Sequence, residues 1–255
     1  MPKIWLDRSQ VHYETVGEGP NVILCLPGYL GTVELDFKKI FDAVDKTKFK
    51  LVSWDPPGYG FSRPPDRDFT KGYLQRDADL VAELMQKLGF ERYSVFGWSQ
   101  GGQTGTLLAA TYPSRVISLS TLCSGTKFDP KSTRFYKAVS LIDSWPPEKL
   151  KSQLKYCKKH YLEQMTNDMW IYSLEAERTA LDETKAACQK LTCPVLVMHA
   201  QNDPNYPVQC AHVLHGRIKN SKIHIFPEGG HDVHLTHTDE FMAAWTAFVL
   251  EHGVQ

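Results

Sequence analysis

The segment Gly97-Trp98-Ser99-Gln100-Gly101 sets a serine between two glycines, after an apolar run at 93–96 and before a helical run at 104–110. A strand turning this sharply into a helix leaves no room for side chains at the flanking positions and exposes the serine hydroxyl at the strand's C-terminal end. Such a hydroxyl is a candidate nucleophile for acyl transfer, provided that a base takes its proton and an acid orients the base. By composition alone the pattern arises in roughly one chain of this length in ten. Its placement between strand and helix therefore carries the argument.

The base and the acid are sought where two further apolar runs end. The run 195–199 is followed by Ala200-Gln201-Asn202-Asp203-Pro204, and 223–226 by Pro227-Glu228-Gly229-Gly230-His231. Asp203 and His231 thus fall at the edge where open α/β sheets place their sites. The chain order Ser, Asp, His is that of a strand-turn-helix nucleophile. Asp203 also reads as a turn former before Pro204, with Asp129 as the substitute acid. His234 and His237 compete with His231, which is preferred because only it lies in the Gly-rich turn directly after a strand. A metal held by the three histidines is the weaker reading, since no matching carboxylate or cysteine pattern accompanies them. No metal and no cofactor is expected.

A tetrahedral intermediate needs two convergent backbone N–H groups. Gln100, opening the helix after the serine, offers one. Tyr29, in the loop Pro27-Gly28-Tyr29-Leu30-Gly31, is the first choice for the other, although these five residues also read as a plain turn. Leu30, Trp98 and Gln100 flank these groups and are expected to touch the substrate.

These residues need a scaffold to hold them. A short unbroken apolar run at 22–26, and similar runs at 51–54, 93–96, 116–122, 195–198 and 223–226, are as expected of strands buried on both faces. Between them, Leu80, Val81, Leu84, Met85 and Leu88 share one helical face, and so do Phe241, Trp245, Phe248 and Val249. Residues 3–6 and 11–16 alternate apolar and polar around 7–10, which predicts a hairpin at a sheet edge. Strand and helix alternating this regularly imply a mostly parallel central sheet flanked by helices, an α/β fold. From about 126 to 185 the pattern is helical throughout. The expected organisation is a core of 1–125 and 186–255 with a helical cap insertion at 126–185, forming a single structural unit.

Composition narrows the remaining classes. With 255 residues, 42% hydrophobic and 23% charged, the chain is ordinary for a globular protein, which argues against disorder, collagen or coiled coil. Its 29 Lys plus Arg balance 29 Asp plus Glu, so nucleic acid is not an expected partner. No run approaches the roughly 18–20 apolar residues that span a bilayer. The start has neither a signal-peptide nor a transit-peptide pattern, so a cytoplasmic location is expected, or a mitochondrial one if a presequence has been removed. Cys25, Cys123, Cys157, Cys188, Cys193 and Cys210 lack CxxC spacing and read as reduced, mostly buried thiols. A monomer is expected.

The motifs also carry a resemblance. Trp54-Asp55-Pro56-Pro57-Gly58-Tyr59-Gly60-Phe61-Ser62, the loop 26–31 (LPGYLG), the serine motif GWSQG and 227–235 (PEGGHDVHL) resemble the valacyclovir hydrolase-like (biphenyl hydrolase-like) branch of the α/β-hydrolases. The resemblance runs over nearly the whole core and is weaker in the cap. It implies a serine hydrolase acting on esters of small amino acids without a cofactor, with Ser99, Asp203 and His231 as the triad. One position departs: that branch has an acid directly after the nucleophile, which takes the substrate's ammonium group, and this chain has Gln100. The expected reaction is therefore hydrolysis of a small carboxylic ester, with the amino group an open requirement. Carbon–carbon bond hydrolases on the same fold, and a silent ligand receptor, are the alternatives. Residues 127–159 add a local charge excess, nine Lys or Arg against three acids. It reads as a solvated helix face or as a lid attracting anionic esters.

Overall fold

A computed structural model describes residues 1–7 and 9–253. Eight strands, β1 (Lys3–Leu6), β2 (Ser9–Val16), β3 (Asn21–Leu26), β4 (Phe49–Trp54), β5 (Tyr93–Trp98), β6 (Val116–Leu122), β7 (Val195–Ala200) and β8 (Ser221–Phe226), form one sheet. Their spatial order is β1-β2-β4-β3-β5-β6-β7-β8. Pairs β1/β2 and β2/β4 are antiparallel and every other pair is parallel. All six apolar runs are strands. The hairpin turn is tighter than the expected 7–10, because Ser9 pairs with Leu6 and Gln10 with Trp5. β8 also differs from a strand buried on both faces. It is the far edge of the sheet, and only its Phe226 is fully buried.

Among the described residues ten α-helices accompany the sheet: α1 (Lys38–Ala43), α2 (Tyr73–Lys87), α3 (Gln100–Thr111), α4 (Pro130–Ser140), α5 (Pro147–Leu154), α6 (Lys159–Arg178), α7 (Lys185–Cys188), α8 (Gln209–Arg217), α9 (Val233–Thr236) and α10 (Thr238–His252). On one face α2 and α3 bury Leu74, Val81, Leu84, Met85 and Leu108 against Val52 and Val95. On the other, α1 and α10 bury Ile40, Phe241 and Trp245 against Ile23 and Phe96. Trp245 lies 5.4 Å from Phe241 and 4.9 Å from Phe96, centroid to centroid, within the range of favourable ring pairing. Two packed faces fix β3, β5, β6 and β7 side by side. Their C-terminal ends are where the loops 27–31, 99–101 and 201–206 emerge.

Between β6 and β7 the chain is helical, with α4 packed on α6. Asp129 starts α4 with a capping box: its carboxylate accepts from Ser132 N–H at 2.8 Å, and Ser132 Oγ accepts from Asp129 N–H at 2.8 Å. Side chains from this segment grip the core loops. Gln153 Nε2 donates to Leu30 O at 2.9 Å, Tyr161 Oη donates to Gly58 O at 3.0 Å, and Tyr156 Oη donates to Glu34 at 2.8 Å. Among the described residues no helix is long and apolar enough to cross a membrane.

Candidate active site

Ser99 stands at the turn between β5 and α3 with φ 56° and ψ −119°, a conformation that costs a residue bearing a Cβ about 1–3 kcal/mol. The turn survives because its flanks are glycine. A Cβ on Gly97 would lie 2.2 Å from Gly101 O, and one on Gly101 would lie 2.0 Å from Leu26 O. Ser99 Oγ is 3.0 Å from His231 Nε2, and His231 Nδ1 is 2.8 Å from Asp203 Oδ2. With Asp203 accepting from Nδ1–H, the imidazole presents its Nε2 lone pair to the serine hydroxyl.

Asp203 is itself firmly held. Its other oxygen accepts from the N–H groups of Asn205 at 2.7 Å and Tyr206 at 3.1 Å. Burial raises its pKa, but the hydrogen bond to His231, the His231 charge and the two backbone N–H groups outweigh that and hold the carboxyl below the usual range. A second histidine, His199, lies beneath it. His199 Nε2 is 3.1 Å from Tyr206 O and 3.6 Å from Asp203 Oδ2, and burial pushes its pKa down. Asp129, the substitute acid, is engaged in its capping box instead.

The competing histidines are placed elsewhere. His234 is fully buried, with its ring 4.7 Å from Trp98 and 6.1 Å from Phe241, and burial together with the His231 charge pushes its pKa down to about 3. It is an aromatic filler held neutral. His237 Nδ1 sits by Thr236 Oγ1 at 3.1 Å. Cys123, Asp203 and His231 do offer atoms within 4.8 Å of one another. Those donors do not fit a metal: burial and the Asp203 charge push the Cys123 thiol well up, so it keeps its proton, while Asp203 and His231 are bonded to each other.

Tyr29, expected to offer the second N–H, lies in the loop after β3. Gly28 N–H donates to Asp36 Oδ2 at 2.9 Å, Gly31 N–H bonds back to Gly28 O at 3.1 Å, and Leu30 takes the left-handed conformation at φ 61°. No protein acceptor meets Tyr29 N–H among the described residues. Gln100 is the first residue of α3, where N–H groups lack intrahelical partners. Asp36 pins this loop from below, and burial, against the opposing Gly28 N–H bond, raises its carboxyl to about 8. Trp98 packs on His231. Its indole N–H donates to His231 O at 2.8 Å and its ring lies 5.2 Å from the His231 ring, so it braces the histidine loop.

Several structural partners of the site escape the sequence motifs. Tyr136 of α4 meets Gln100 Nε2 at 3.0 Å and Tyr206 Oη at 3.3 Å. Arg67 forms a bidentate pair with Asp77 at 2.9 and 2.6 Å and lies against the rings of Tyr59 and Tyr73. Cavities of about 310 and 610 Å³ lie away from Ser99, Asp203 and His231, the larger between the loop 67–71 and α6. All nine basic residues of 127–159 are exposed, and Lys155 and Lys159 are paired with Glu34 and Asp143. Any pull they exert on an anion is long-range and screened by salt.

Known proteins share this architecture. A family profile described as alpha/beta hydrolase fold matches residues 21–148. The chain is 35% identical over 243 residues to "Serine hydrolase BPHL" of Mus musculus and 33% identical over 241 residues to the protein of that name in Homo sapiens. Each match covers 94% of this chain and 82% of the relative. Among solved structures, a meta-cleavage product hydrolase from Pseudomonas fluorescens superposes with TM-score 0.81 at 20% identity, covering 98% of both chains. An enol-lactonase from Burkholderia xenovorans gives 0.73 at 17%, covering 98% of this chain and all of that one. These two carry the fold alone. Identity of this extent to the mouse and human proteins carries more: the chain belongs to the alpha/beta hydrolase family, within the group of serine hydrolase BPHL, and is a serine hydrolase.

Proposed function

We propose that this enzyme hydrolyses small carboxylic esters through an acyl-enzyme on Ser99, as a monomer without a cofactor. The observation that supports it best is the continuous pair of contacts from Ser99 Oγ to His231 Nε2 at 3.0 Å and from His231 Nδ1 to Asp203 at 2.8 Å. His231 takes the serine proton as Oγ attacks the ester carbonyl, and the carbonyl oxygen becomes an oxyanion. The N–H groups of Tyr29 and Gln100 receive it. Collapse expels the alcohol, which takes the proton from His231, and a water activated by the same imidazole then releases the acid. Asp203 holds Nδ1–H throughout, fixing the tautomer and stabilising the imidazolium.

Esters of α-amino acids are the narrower substrate class that the resemblance implies. Gln100 offers an uncharged amide where an ammonium group would need a carboxylate, so the amino group is not required for turnover. The test is a set of alkyl and amino acid esters of graded size, with a fluorophosphonate probe for Ser99. Probe labelling together with ester turnover upholds the reading. Labelling without turnover on any ester favours carbon–carbon bond hydrolysis, and absence of both favours a silent receptor.

A further inference from the structure

Gln100 is the neighbour of the nucleophile, and its side-chain amide has a fixed polarity. Nε2 lies 3.0 Å from Tyr136 Oη and 3.9 Å from Met169 Sδ, and a thioether sulfur can only accept. The amide NH2 therefore faces both atoms, and Tyr136 Oη accepts. Tyr136 Oη also lies 3.3 Å from Tyr206 Oη. Two hydroxyls hold two protons and one bond between them uses one. Whichever hydroxyl donates, the other O–H has no protein acceptor among the described residues. Gln100 Oε1 likewise receives no hydrogen bond there. Tyr29, whose ring is 5.4 Å from that of Tyr136, has a buried hydroxyl without a partner.

The three linked residues are all buried, with Gln100 at 4%, Tyr136 at 2% and Tyr206 at 8% exposure. Of the polar atoms here Tyr29 Oη is buried without a partner, and the unmatched tyrosine proton and Gln100 Oε1 add hydrogen-bonding capacity that a ligand can fill. This wall also flanks the chemistry at both ends. Gln100 follows Ser99 in the chain, and the Tyr206 ring lies 5.8 Å from the His231 ring. Resting on the ester hydrolase reading, we propose that Gln100, Tyr136 and Tyr206 form a specificity relay that selects acyl groups bearing an α-hydroxyl over those bearing an α-ammonium. The substrate hydroxyl oxygen accepts the unmatched tyrosine proton, and its own proton goes to Gln100 Oε1. An ammonium group can donate to Gln100 Oε1 but has no lone pair for the tyrosine proton, which it leaves unmatched and repels. Asp168 of α6 lines the larger cavity, and its charge bears on the Tyr29 hydroxyl.

The test compares kcat/KM for the benzyl esters of 2-hydroxyisovalerate, valine and isovalerate, which differ only at the α-substituent. Wild type should favour the hydroxy ester over isovalerate by about tenfold, as expected for one matched hydrogen-bond pair, and should show no preference for valine over isovalerate. Gln100→Glu replaces the donor by an acceptor, which takes the Tyr136 proton and leaves negative charge. It should abolish the hydroxy preference and raise the valine-to-isovalerate ratio by about tenfold or more. The double variant Tyr136→Phe and Tyr206→Phe should abolish the hydroxy preference without raising the valine ratio. Equal rates for the hydroxy and unsubstituted esters in wild type, or a ratio unchanged in both variants, would overturn the relay while leaving the ester hydrolase intact. A wild-type preference for the valine ester would overturn it too. Failure to cleave any of the three esters would strike the hydrolase reading itself and take the relay with it.

Discussion

Replacing Asp203 by Asn isolates what the acid does for the histidine. In the native site one oxygen of Asp203 accepts from Asn205 and Tyr206 N–H, and the other accepts from His231 Nδ1–H at 2.8 Å. An asparagine cannot turn its NH2 toward two N–H donors, so its carbonyl keeps those bonds and its NH2 faces His231. Nδ1 must then accept, and the ring proton moves to Nε2, the atom 3.0 Å from Ser99 Oγ. A nitrogen that already carries a proton cannot take the one from serine. The expected loss is about 10³–10⁴ in kcat, or about 4–5.5 kcal/mol of barrier. The backbone bonds of the loop persist, so the variant should fold and bind substrate with little change in KM. The assay is steady-state hydrolysis of a p-nitrophenyl ester at pH 7.5, with circular dichroism as the folding control. Activity within tenfold of wild type in the folded variant would refute the assigned role of Asp203.

Other perturbations reach different parts of the structure. Ser99→Ala should lose at least about 10³ in turnover and all fluorophosphonate labelling while remaining folded, and a folded variant keeping a tenth of the activity would remove the nucleophile from the scheme. Asp36 is held protonated at neutral pH with a folded value near 8, above that of an unfolded aspartate, so its contribution is complete in acid and is lost as pH rises toward and through 8. Asp36→Asn, always neutral, should lose less Tm than wild type between pH 5 and 9, and equal losses would contradict the argument. Arg67→Met leaves Asp77 buried without its partner and should destabilise by about 3–5 kcal/mol in urea unfolding, with much of the loss regained in the double variant Arg67→Met and Asp77→Leu.

What the sequence made legible and what it did not follow a physical division. Strands buried on both faces write themselves as runs dominated by apolar residues, with only small hydroxyl residues such as Ser53, Ser94 and Ser118 tolerated among them, so β3 to β7 were readable. The edge strand β8 and the ends of β4 and β7, where polar residues still make ladder bonds, were not delimited. Ser99, Asp203 and His231 were readable because each sits in a turn whose local chemistry is severe: paired glycines at the elbow, a proline after the acid, glycines before the histidine. The bracing role of Trp98 was not legible, because its neighbourhood to Ser99 in sequence says nothing about the direction of its indole, which reaches the His231 loop. Asp36 and His199 stabilise the site from buried positions that no spacing rule marks. Asp36 lies in Val33–Phe37 beside Glu34, and nothing in that sequence tells which of the two acids is buried.

Gln100 shows why a departure from a family pattern needs the fold before it can be interpreted. In sequence it is only the loss of a carboxylate beside the nucleophile. In the structure its amide is one end of a chain through Tyr136 of α4 to Tyr206 of the acid loop, three residues brought together from distant parts of the sequence. An acid at position 100 would accept the tyrosine proton and leave the wall negative. The amide donates instead and leaves the wall with a free proton. The same two hydroxyls thus present opposite polarity to the substrate according to one residue that contacts them, and specificity is set by the direction of a hydrogen-bond chain rather than by the presence or absence of one charge.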